Sequence, residues 1–298
     1  MTAWNRCLDA AGIREPELRS AYGAQRAAVR SHRRSSYIAA RVLLPPALQP
    51  HALAATAFMD HGDSLLDTGP KAQRVMAWAD WEQRVRKALE TGHGDDPLIR
   101  TLLGTVDRCP RLRGAVEEYL DTAGAELDFA GFAGEADYQA YLDAYSLPAF
   151  MLVGTLLAPE TGRERYRSAC RGLIEGSQRL DFVNDLAEDL REGRLGIPED
   201  ALRRFSVSVA DLRSGHEPSA LGRLVTEQVR TARAALDSAR EVAGLAAPSG
   251  RPLFEALVDI ELLTADAVLA RGTRLLGGPA SPPLTGTLRA LLRARRRA

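Results

Sequence analysis

The sequence predicts an all-α protein with a single domain that comprises residues 1–298. Nearly every long segment repeats its apolar residues with helical period, three to four positions apart. Strand signals are almost absent, because alternating runs of Val, Ile, Thr and Tyr are few and no Asn-Gly hairpin occurs. The composition does not shift along the chain, and there are no internal repeats or low-complexity segments. We therefore expect one helical bundle.

Proline and glycine residues divide the chain into these helices. Pro45-Pro46 opens a helix that runs to Asp67, where Thr68-Gly69-Pro70 ends it. The same punctuation predicts further helices on either side of 92–97, over 110–128, over 138–157 and over 164–192. The last of them ends in a tight loop, Gly193–Pro198.

Two acidic clusters lie far apart in the chain, and both fall in predicted helices. Asp63 and Asp67 are four residues apart, and Asp181, Asp185 and Asp189 form a longer stripe with the same spacing. Carboxylates four residues apart share one face of a helix, where they repel one another unless a cation lies between them. Carboxylate oxygens suit Mg²⁺, which usually brings a phosphate-bearing substrate. These five aspartates are therefore the predicted metal ligands.

Acidic pairs also occur by chance on solvated helix faces, since the chain has 39 acidic residues. The apolar neighbours of the second cluster argue against that interpretation. Leu180, Phe182 and Val183 are the sequence neighbours of Asp181. Burying an acidic stripe among apolar side chains costs much free energy unless a metal ion compensates the charge.

Composition excludes several classes of protein. Lys and Arg balance Asp and Glu at 39 each, which argues against a nucleic-acid partner. Cys7, Cys109 and Cys170 match neither a zinc site nor a disulfide framework, so we expect a reducing, cytoplasmic location. The N-terminus lacks the layout of a signal peptide, and the apolar run Ala149–Pro159 is too short to span a bilayer, so no integral membrane segment is expected.

The residues resemble those of the squalene and phytoene synthases, a family with the all-helical isoprenoid synthase fold. The similarity lies in four stretches: Ser36–Pro45, Ala57–Asp67, Tyr138–Gly154, and Gln178–Asp189 with the following Gly193–Pro198. It implies a helical bundle with a central active-site cavity. It also implies that Mg²⁺ and arginines stabilise the diphosphate that leaves a prenyl donor, so that an allylic carbocation forms in a dry apolar pocket.

The candidate site residues come partly from the four similar stretches and partly from residues of this chain that stand beside them. The candidate catalytic residues are Asp60, His61, Asp63, Asp67 and Asp185, with Asp60 or His61 orienting or deprotonating an acceptor. The candidate substrate-binding residues are Arg33, Arg34, Ser36, Tyr37, Tyr145, Met151, Gln178 and Arg194. Tyr141 and Phe150 are further candidates for the pocket wall, whereas Trp78 and Trp81 are expected outside the site.

The chain departs from the family at motif positions. It has Asp60 in place of Arg, Ser64 in place of Asp, Asp181 in place of Asn, Gly196 in place of Tyr, and Arg33 and Arg34 in place of small polar or His residues. Five aspartates, one diphosphate and three Mg²⁺ sum to roughly −2, and a second diphosphate lowers the sum to about −5. Such a site holds one diphosphate more readily than two, although Arg33 and Arg34 could compensate.

We therefore hypothesise a prenyltransferase of secondary metabolism with a prenyl diphosphate donor, C5 favoured, and a small aromatic, carbazole-type acceptor. The alternatives are a head-to-head squalene or phytoene synthase, a class I terpene cyclase, and a homologue that binds prenyl diphosphate without turnover.

Two minor predictions concern the surface. His32, His51, His93 and His216 lie in polar or turn contexts and are expected to be exposed. The arginine-rich tail, Leu291–Ala298, predicts a solvated, frayed end or, alternatively, a contact with an anionic surface.

Overall fold

Helices form every regular element in the computed structural model, which describes residues 2–215 and 218–297. The all-α prediction is therefore confirmed for the described ranges. The α-helices are α1 (Ala3–Ala10), α2 (Pro16–His32), α3 (Arg34–Leu43), α4 (Gln49–Asp67), α5 (Lys71–Thr91), α6 (Pro97–Arg108), α7 (Leu112–Thr122), α8 (Glu135–Tyr141), α9 (Leu147–Gly154), α10 (Arg163–Asn184), α11 (Leu186–Glu192), α12 (Glu199–Arg204), α13 (Val209–Ser214), α14 (Pro218–Ser238), α15 (Glu241–Leu245), α16 (Arg251–Arg271) and α17 (Leu284–Arg296). Short 3₁₀ segments comprise Ala123–Asp128, Thr155–Leu157 and Gly272–Gly277.

Helix α4 is the central element of the fold. Its first ten residues, Gln49–Phe58, are all buried, and α2, α5, α6 and α9 pack around it. It begins a few residues later than predicted, because a turn closed by the Leu48 N–H and the Pro45 carbonyl (3.0 Å) precedes it. It ends at Asp67 as predicted, so the first acidic cluster lies on its last two turns.

The helix predicted over 138–157 is interrupted. A π-helical turn, Leu142–Ser146, separates α8 from α9, and the Leu147 N–H donates to the carbonyl of Leu142, five residues earlier. Pro148 explains the interruption, because a proline lacks an N–H and its ring clashes with the carbonyl four residues before it. The π turn places Tyr145 and Ser146 in the wall of a cavity.

The helix predicted over 164–192 is also interrupted, at the second acidic cluster. Asp185 (φ −91°, ψ 10°) leaves the helical conformation, ends α10 and precedes α11. Its N–H still donates to the carbonyl of Asp181 at 2.8 Å, so the change of direction is local. Asp181 therefore lies on α10 and Asp189 on α11.

Helix α10 is held in place mainly by α14. Gly176 permits their close approach, because a Cβ atom at this position would lie 2.8 Å from the carbonyl oxygen of Ala232 and 2.7 Å from Leu236 Cγ. The two acidic helices, α4 and α10, thereby stand on opposite sides of a cavity that α9 closes along one wall.

The segment Glu135–Leu157 has the length and mean hydropathy of a membrane span. In this fold it lies within the bundle: Leu142, Leu147 and Leu152 are buried against other helices, and Tyr145 faces the cavity. The apolar character of the segment is thus accounted for by the core.

Two predictions about the surface are wrong. His51 is 3% exposed, because the Tyr22 and Thr105 hydroxyls lie 3.3 and 3.2 Å from its Nδ1 atom and replace water. The tail is solvated as predicted, with residues 292, 293 and 295–297 exposed, but it is not frayed as far as Arg296, where α17 ends after burying Ala290 and Ala294; Ala298 lies outside the described residues. His32 and His93 are exposed as predicted, and His216 lies outside the described residues.

Candidate active site

The two acidic clusters meet across a cavity of about 460 Å³. Asp63 and Asp67 reach it from α4, and Asp181, Asp185 and Asp189 reach it from the α10–α11 segment. More than a hundred residues separate the two clusters along the chain. The sequence prediction that they share one site therefore agrees with their placement.

The carboxylate of Asp63 is fully engaged by two donors. The Tyr145 hydroxyl donates to Oδ1, and Arg33 Nη2 donates to Oδ2 at 2.6 Å. Arg33 Nε also donates to Asp60, which lies one turn earlier on α4. Asp60 and Asp63 together therefore hold the guanidinium of Arg33 at the edge of the cavity.

The second cluster carries carboxyl groups that resist ionisation. Asp181 is exposed and lines the cavity; desolvation there, together with repulsion from Glu261 and Asp185, raises its pKa well above the usual value. Burial and repulsion from Glu188 raise the pKa of Asp185. Burial also raises the pKa of Asp189 to about 6, although Arg194 opposes the shift. A divalent cation beside these carboxyl groups would offset both their desolvation and their mutual repulsion.

The donor set fits Mg²⁺. Asp189 is 9% exposed, and its Oδ2 atom is buried without a hydrogen-bond partner, as expected of an oxygen whose partner is a metal ion or a substrate group. In the described ranges, no three acidic, His or Cys side chains are gathered closely enough to form a complete metal site. A Mg²⁺ ion beside Asp189 would therefore need water and a phosphate-bearing substrate as further ligands, an arrangement that is usual for this ion.

Glu126 is a site residue that the sequence prediction missed. It lies on the 3₁₀ segment after α7, is 6% exposed and lines the cavity. The Tyr141 hydroxyl donates to its Oε2 at 2.6 Å, and Asp67 forms a hydrogen bond with it as well. Burial raises its pKa to about 7; the Tyr141 hydrogen bond and the Arg194 charge oppose this rise, whereas Asp67 adds to it. Nothing in the local sequence distinguishes this glutamate from the solvated ones.

Arg194, in the loop after α11, connects the two acidic clusters. Its Nη1 atom donates to Asp67 Oδ1 at 3.3 Å and lies 4.0 Å from Glu126. Its Nη2 atom donates to Glu192. The loop that follows the second cluster is thus attached to the first cluster through one guanidinium group.

The rest of the cavity wall is largely apolar and aromatic. Phe129, Tyr141 and Phe182 form one group of rings, with centroids 5.1 Å apart between Phe129 and Tyr141 and 5.7 Å apart between Phe129 and Phe182. Gly196 makes room for Phe182, since a Cβ atom there would lie 2.0 Å from the Phe182 ring. The remaining lining residues are Met59, Ser146, Ala149, Phe150, Ile174 and Gln178.

The predicted substrate-binding residues divide into two groups. Arg33, Tyr145, Gln178 and Arg194 line the cavity. Arg34, Ser36, Tyr37 and Met151 do not. Tyr37 instead accepts hydrogen bonds from Arg26, at 3.2 Å from Nη2. Met151 is 6% exposed in the core, because on α9 the residues that face the cavity are Ala149 and Phe150.

Asp60 and His61 also lie outside the acid-lined cavity. They line a neighbouring depression of about 480 Å³, which shares Arg33, Asp63 and Asp67 with the cavity. The His61 ring packs edge-on against the buried Trp81, with centroids 4.4 Å apart. On this geometry Asp60 positions Arg33, and Glu126 is better placed than either residue to act on a molecule in the cavity.

A helical bundle that gathers two aspartate clusters around an apolar cavity defines an isoprenoid-synthase type of protein. The model of the squalene/phytoene synthase family matches residues 29–293, and the chain belongs to this family. Its members are isoprenoid synthases of the prenyltransferase type.

Two curated relatives illustrate the similarity in sequence. The bifunctional protein CrtB/UppS of Streptomyces coelicolor is 33% identical over 227 residues, which cover 76% of this chain and 40% of that protein. The chloroplastic phytoene synthase 1 of Arabidopsis thaliana is 27% identical over 209 residues, which cover 66% and 48%. The chain thus spans less than half the length of either relative.

Solved structures with the same fold cover nearly the whole chain. The squalene synthase HpnC from Alicyclobacillus acidocaldarius matches with a TM-score of 0.75 and 22% identity, over 91% of this chain and 99% of that one. A dehydrosqualene synthase in complex with a ligand matches with a TM-score of 0.83 and 18% identity, over 94% and 97%. At these identities the likeness establishes the fold.

Proposed function

We propose that the chain is a Mg²⁺-dependent prenyltransferase that transfers the prenyl group of a single allylic diphosphate to an aromatic acceptor without a diphosphate of its own. The observation that carries the proposal is the charge balance of the cavity. Six acidic residues but only two arginines line it, and Asp60 already engages one of those arginines, Arg33. A second diphosphate would add about three negative charges without adding any cationic side chain.

A short donor, C5 favoured, would place its diphosphate between the two aspartate clusters and its prenyl group against the aromatic wall of the cavity. An acceptor would then lie toward the mouth of the cavity.

The aspartates of both clusters would hold Mg²⁺, which neutralises the departing diphosphate and so favours cleavage of the C1–O bond. Arg33 and Arg194 lie at the same end of the cavity and would donate paired hydrogen bonds to phosphate oxygens. To do so, each guanidinium must exchange an aspartate for the phosphate. The aromatic rings of Tyr141, Tyr145 and Phe182 would stabilise the allylic cation, by roughly 0.5–2 kcal/mol for each well-placed ring.

Glu126 would complete the reaction. A ring carbon of the acceptor forms a bond to C1 of the prenyl cation, and the ring must then lose the proton from that carbon. Because the pKa of Glu126 is about 7, its carboxylate accepts a proton readily near neutral pH. The net change is a new C–C bond, a free diphosphate and one released proton.

A head-to-head squalene or phytoene synthase is the second candidate. The names of the relatives favour it, since they include phytoene, squalene and dehydrosqualene synthases. It requires two prenyl diphosphates in one cavity and no aromatic acceptor.

A product screen separates the two candidates. Purified protein is incubated with Mg²⁺ and C5, C10, C15 or C20 diphosphates, with and without a carbazole or another electron-rich aromatic, and the products are identified by mass spectrometry. The proposal expects diphosphate release and a prenylated aromatic only when the acceptor is present. Formation of squalene or phytoene from C15 or C20 diphosphate alone would refute the proposal and support the second candidate.

A matched pair of variants tests whether the cavity carries the reaction. Asp185→Asn removes a carboxylate that lines the cavity, whereas Glu188→Gln removes an exposed carboxylate nearby on α11 that does not line it. Product formation should disappear in the first variant and persist in the second. Equal loss in both would argue against the site.

A further inference from the structure

The outer face of α17 is apolar at positions where a helix at the protein surface is usually polar. Leu284, Leu288 and Leu292 recur every four residues, and 86%, 57% and 44% of their surfaces are exposed. The opposite face holds the helix in place, because Ala290 and Ala294 are buried there. The leucines therefore form a continuous outward stripe that is not needed to pack α17.

Arginines border this leucine stripe. Arg296 continues the same four-residue series after Leu292, and Arg289 and Arg295 are close to it on the helix. Arg293 and Arg297 are paired with Asp259 and Glu255 of α16. Among the described residues, no carboxylate pairs with Arg289, Arg295 or Arg296, so their charges are available to a partner.

A groove of about 490 Å³ runs between α16 and α17 beside the stripe. Leu263 and Leu292 form its apolar part, and Arg289, Arg293 and Arg296 form its rim. Gly286 brings the two helices together at one end, since a Cβ atom there would lie 3.0 Å from Leu263 Cδ1. An apolar groove with a cationic rim matches a molecule that has an acyl chain and an anionic head.

We propose that this face of α17 docks the protein on a bilayer of anionic lipids. The leucine stripe would enter the boundary between headgroups and acyl chains, and the unpaired arginines would bind lipid phosphates. The attraction is local, because the formal net charge of the chain is zero. Charge also argues against a second copy of the chain as the partner, since two such faces would bring the unpaired arginines of both copies together.

Sedimentation of the full chain with lipid vesicles tests the proposal. Vesicles of phosphatidylcholine alone are compared with vesicles that also contain phosphatidylglycerol, at about 0.1 M and 0.5 M salt, where the screening length falls from about 10 Å to below 5 Å. We expect binding to the anionic vesicles only, and weaker binding at the higher salt. Equal binding to both kinds of vesicle, or no binding to either, would overturn the proposal.

Variants at exposed positions assign the binding to α17. Arg289→Gln with Arg296→Gln should weaken vesicle binding roughly 25-fold, about fivefold for each arginine. Leu288→Ser with Leu292→Ser should weaken it as well. Met76→Ser is the control, because Met76 is 70% exposed on α5, outside this face, and its loss should leave binding unchanged.

Thermal unfolding of each variant shows whether weaker vesicle binding comes from the altered surface or from unfolding of the protein. Vesicle binding is compared only among variants that keep the wild-type melting temperature. Undiminished vesicle binding by both α17 variants would contradict the proposal. A concentration-dependent dimer in light scattering, abolished by the leucine substitutions, would replace the bilayer by a second copy of the chain as the partner of this face.

Discussion

Replacing Glu126 with glutamine should stabilise the protein at alkaline pH while it abolishes most of the activity. Burial raises the pKa of this glutamate from 4.5 to about 7, so between these values the folded protein keeps a proton that the unfolded chain has lost. The free energy of unfolding therefore falls as pH rises through this interval and is constant above it. A shift of this size corresponds to about 3 kcal/mol.

Glutamine has nearly the same shape as the protonated glutamate and does not ionise. Glu126→Gln should therefore match the wild type in urea unfolding at pH 4.5 and exceed it by up to about 3 kcal/mol at pH 8. Other cavity acids titrate in both proteins, so the difference between the two proteins reports Glu126 together with its interactions with Asp67 and Arg194. A constant difference across this pH range would show that Glu126 is not the perturbed group.

The same variant tests the proposed proton transfer. Loss of a general base typically lowers the rate by about 10²–10⁴-fold. Wild-type turnover should rise with pH through about 7, and the residual turnover of the variant should lack this rise. An unchanged rate and pH profile, measured as aromatic product formed, would refute the assignment of Glu126 as the base.

Three further predictions concern the site. Asp189→Asn should lower Mg²⁺-dependent diphosphate release by at least about a hundredfold. It should not lower the melting temperature at pH 7, since it removes a carboxyl with an elevated pKa, and a large loss of stability would contradict this view of Asp189. Mg²⁺ at a hundred times its dissociation constant should stabilise the wild type by about 2.7 kcal/mol in thermal unfolding and the Asp185→Asn variant by much less, and equal stabilisation of both would place the ion elsewhere. Gly196→Ala should destabilise the protein by about 1–3 kcal/mol in urea unfolding, because its Cβ atom would lie 2.0 Å from the ring of Phe182. If the variant were as stable as the wild type, the loop would have to shift freely to accommodate the added atom.

The sequence was sufficient to predict the helical bundle and the meeting of the acidic clusters. Both depend on periodicity, which the sequence records directly: apolar residues with helical period bury one side of each helix, and aspartates four residues apart share a face. The end of α4 at Asp67 followed from the Gly-Pro pair after it, and the fold then placed this face opposite Asp181.

The missed features depend on packing between distant segments. The π turn before Pro148 rotates the residues that follow it, so periodicity alone does not assign the face of α9 that lines the cavity, and the prediction for Met151 is wrong. The break at Asp185 likewise places Asp189 on a separate helix. Glu126 resembles any surface glutamate until Tyr141 and Asp67 are placed against it. The prediction that His51 is exposed is wrong for the same reason, since the hydroxyl groups beside its ring belong to Tyr22 on α2 and Thr105 on α6, both distant in the sequence.

The ion pair between Asp67 and Arg194 connects metal availability to the position of the loop Gly193–Pro198. One carboxylate oxygen cannot serve a guanidinium and a divalent ion equally well at the same time, so the two compete for Asp67. By thermodynamic linkage, a magnesium ion at Asp67 weakens the contact between Arg194 and Asp67 by the same free energy by which that contact weakens binding of the ion. The concentration of free magnesium and the conformation of this loop would then be coupled, and a change in either would alter the affinity of the protein for its donor.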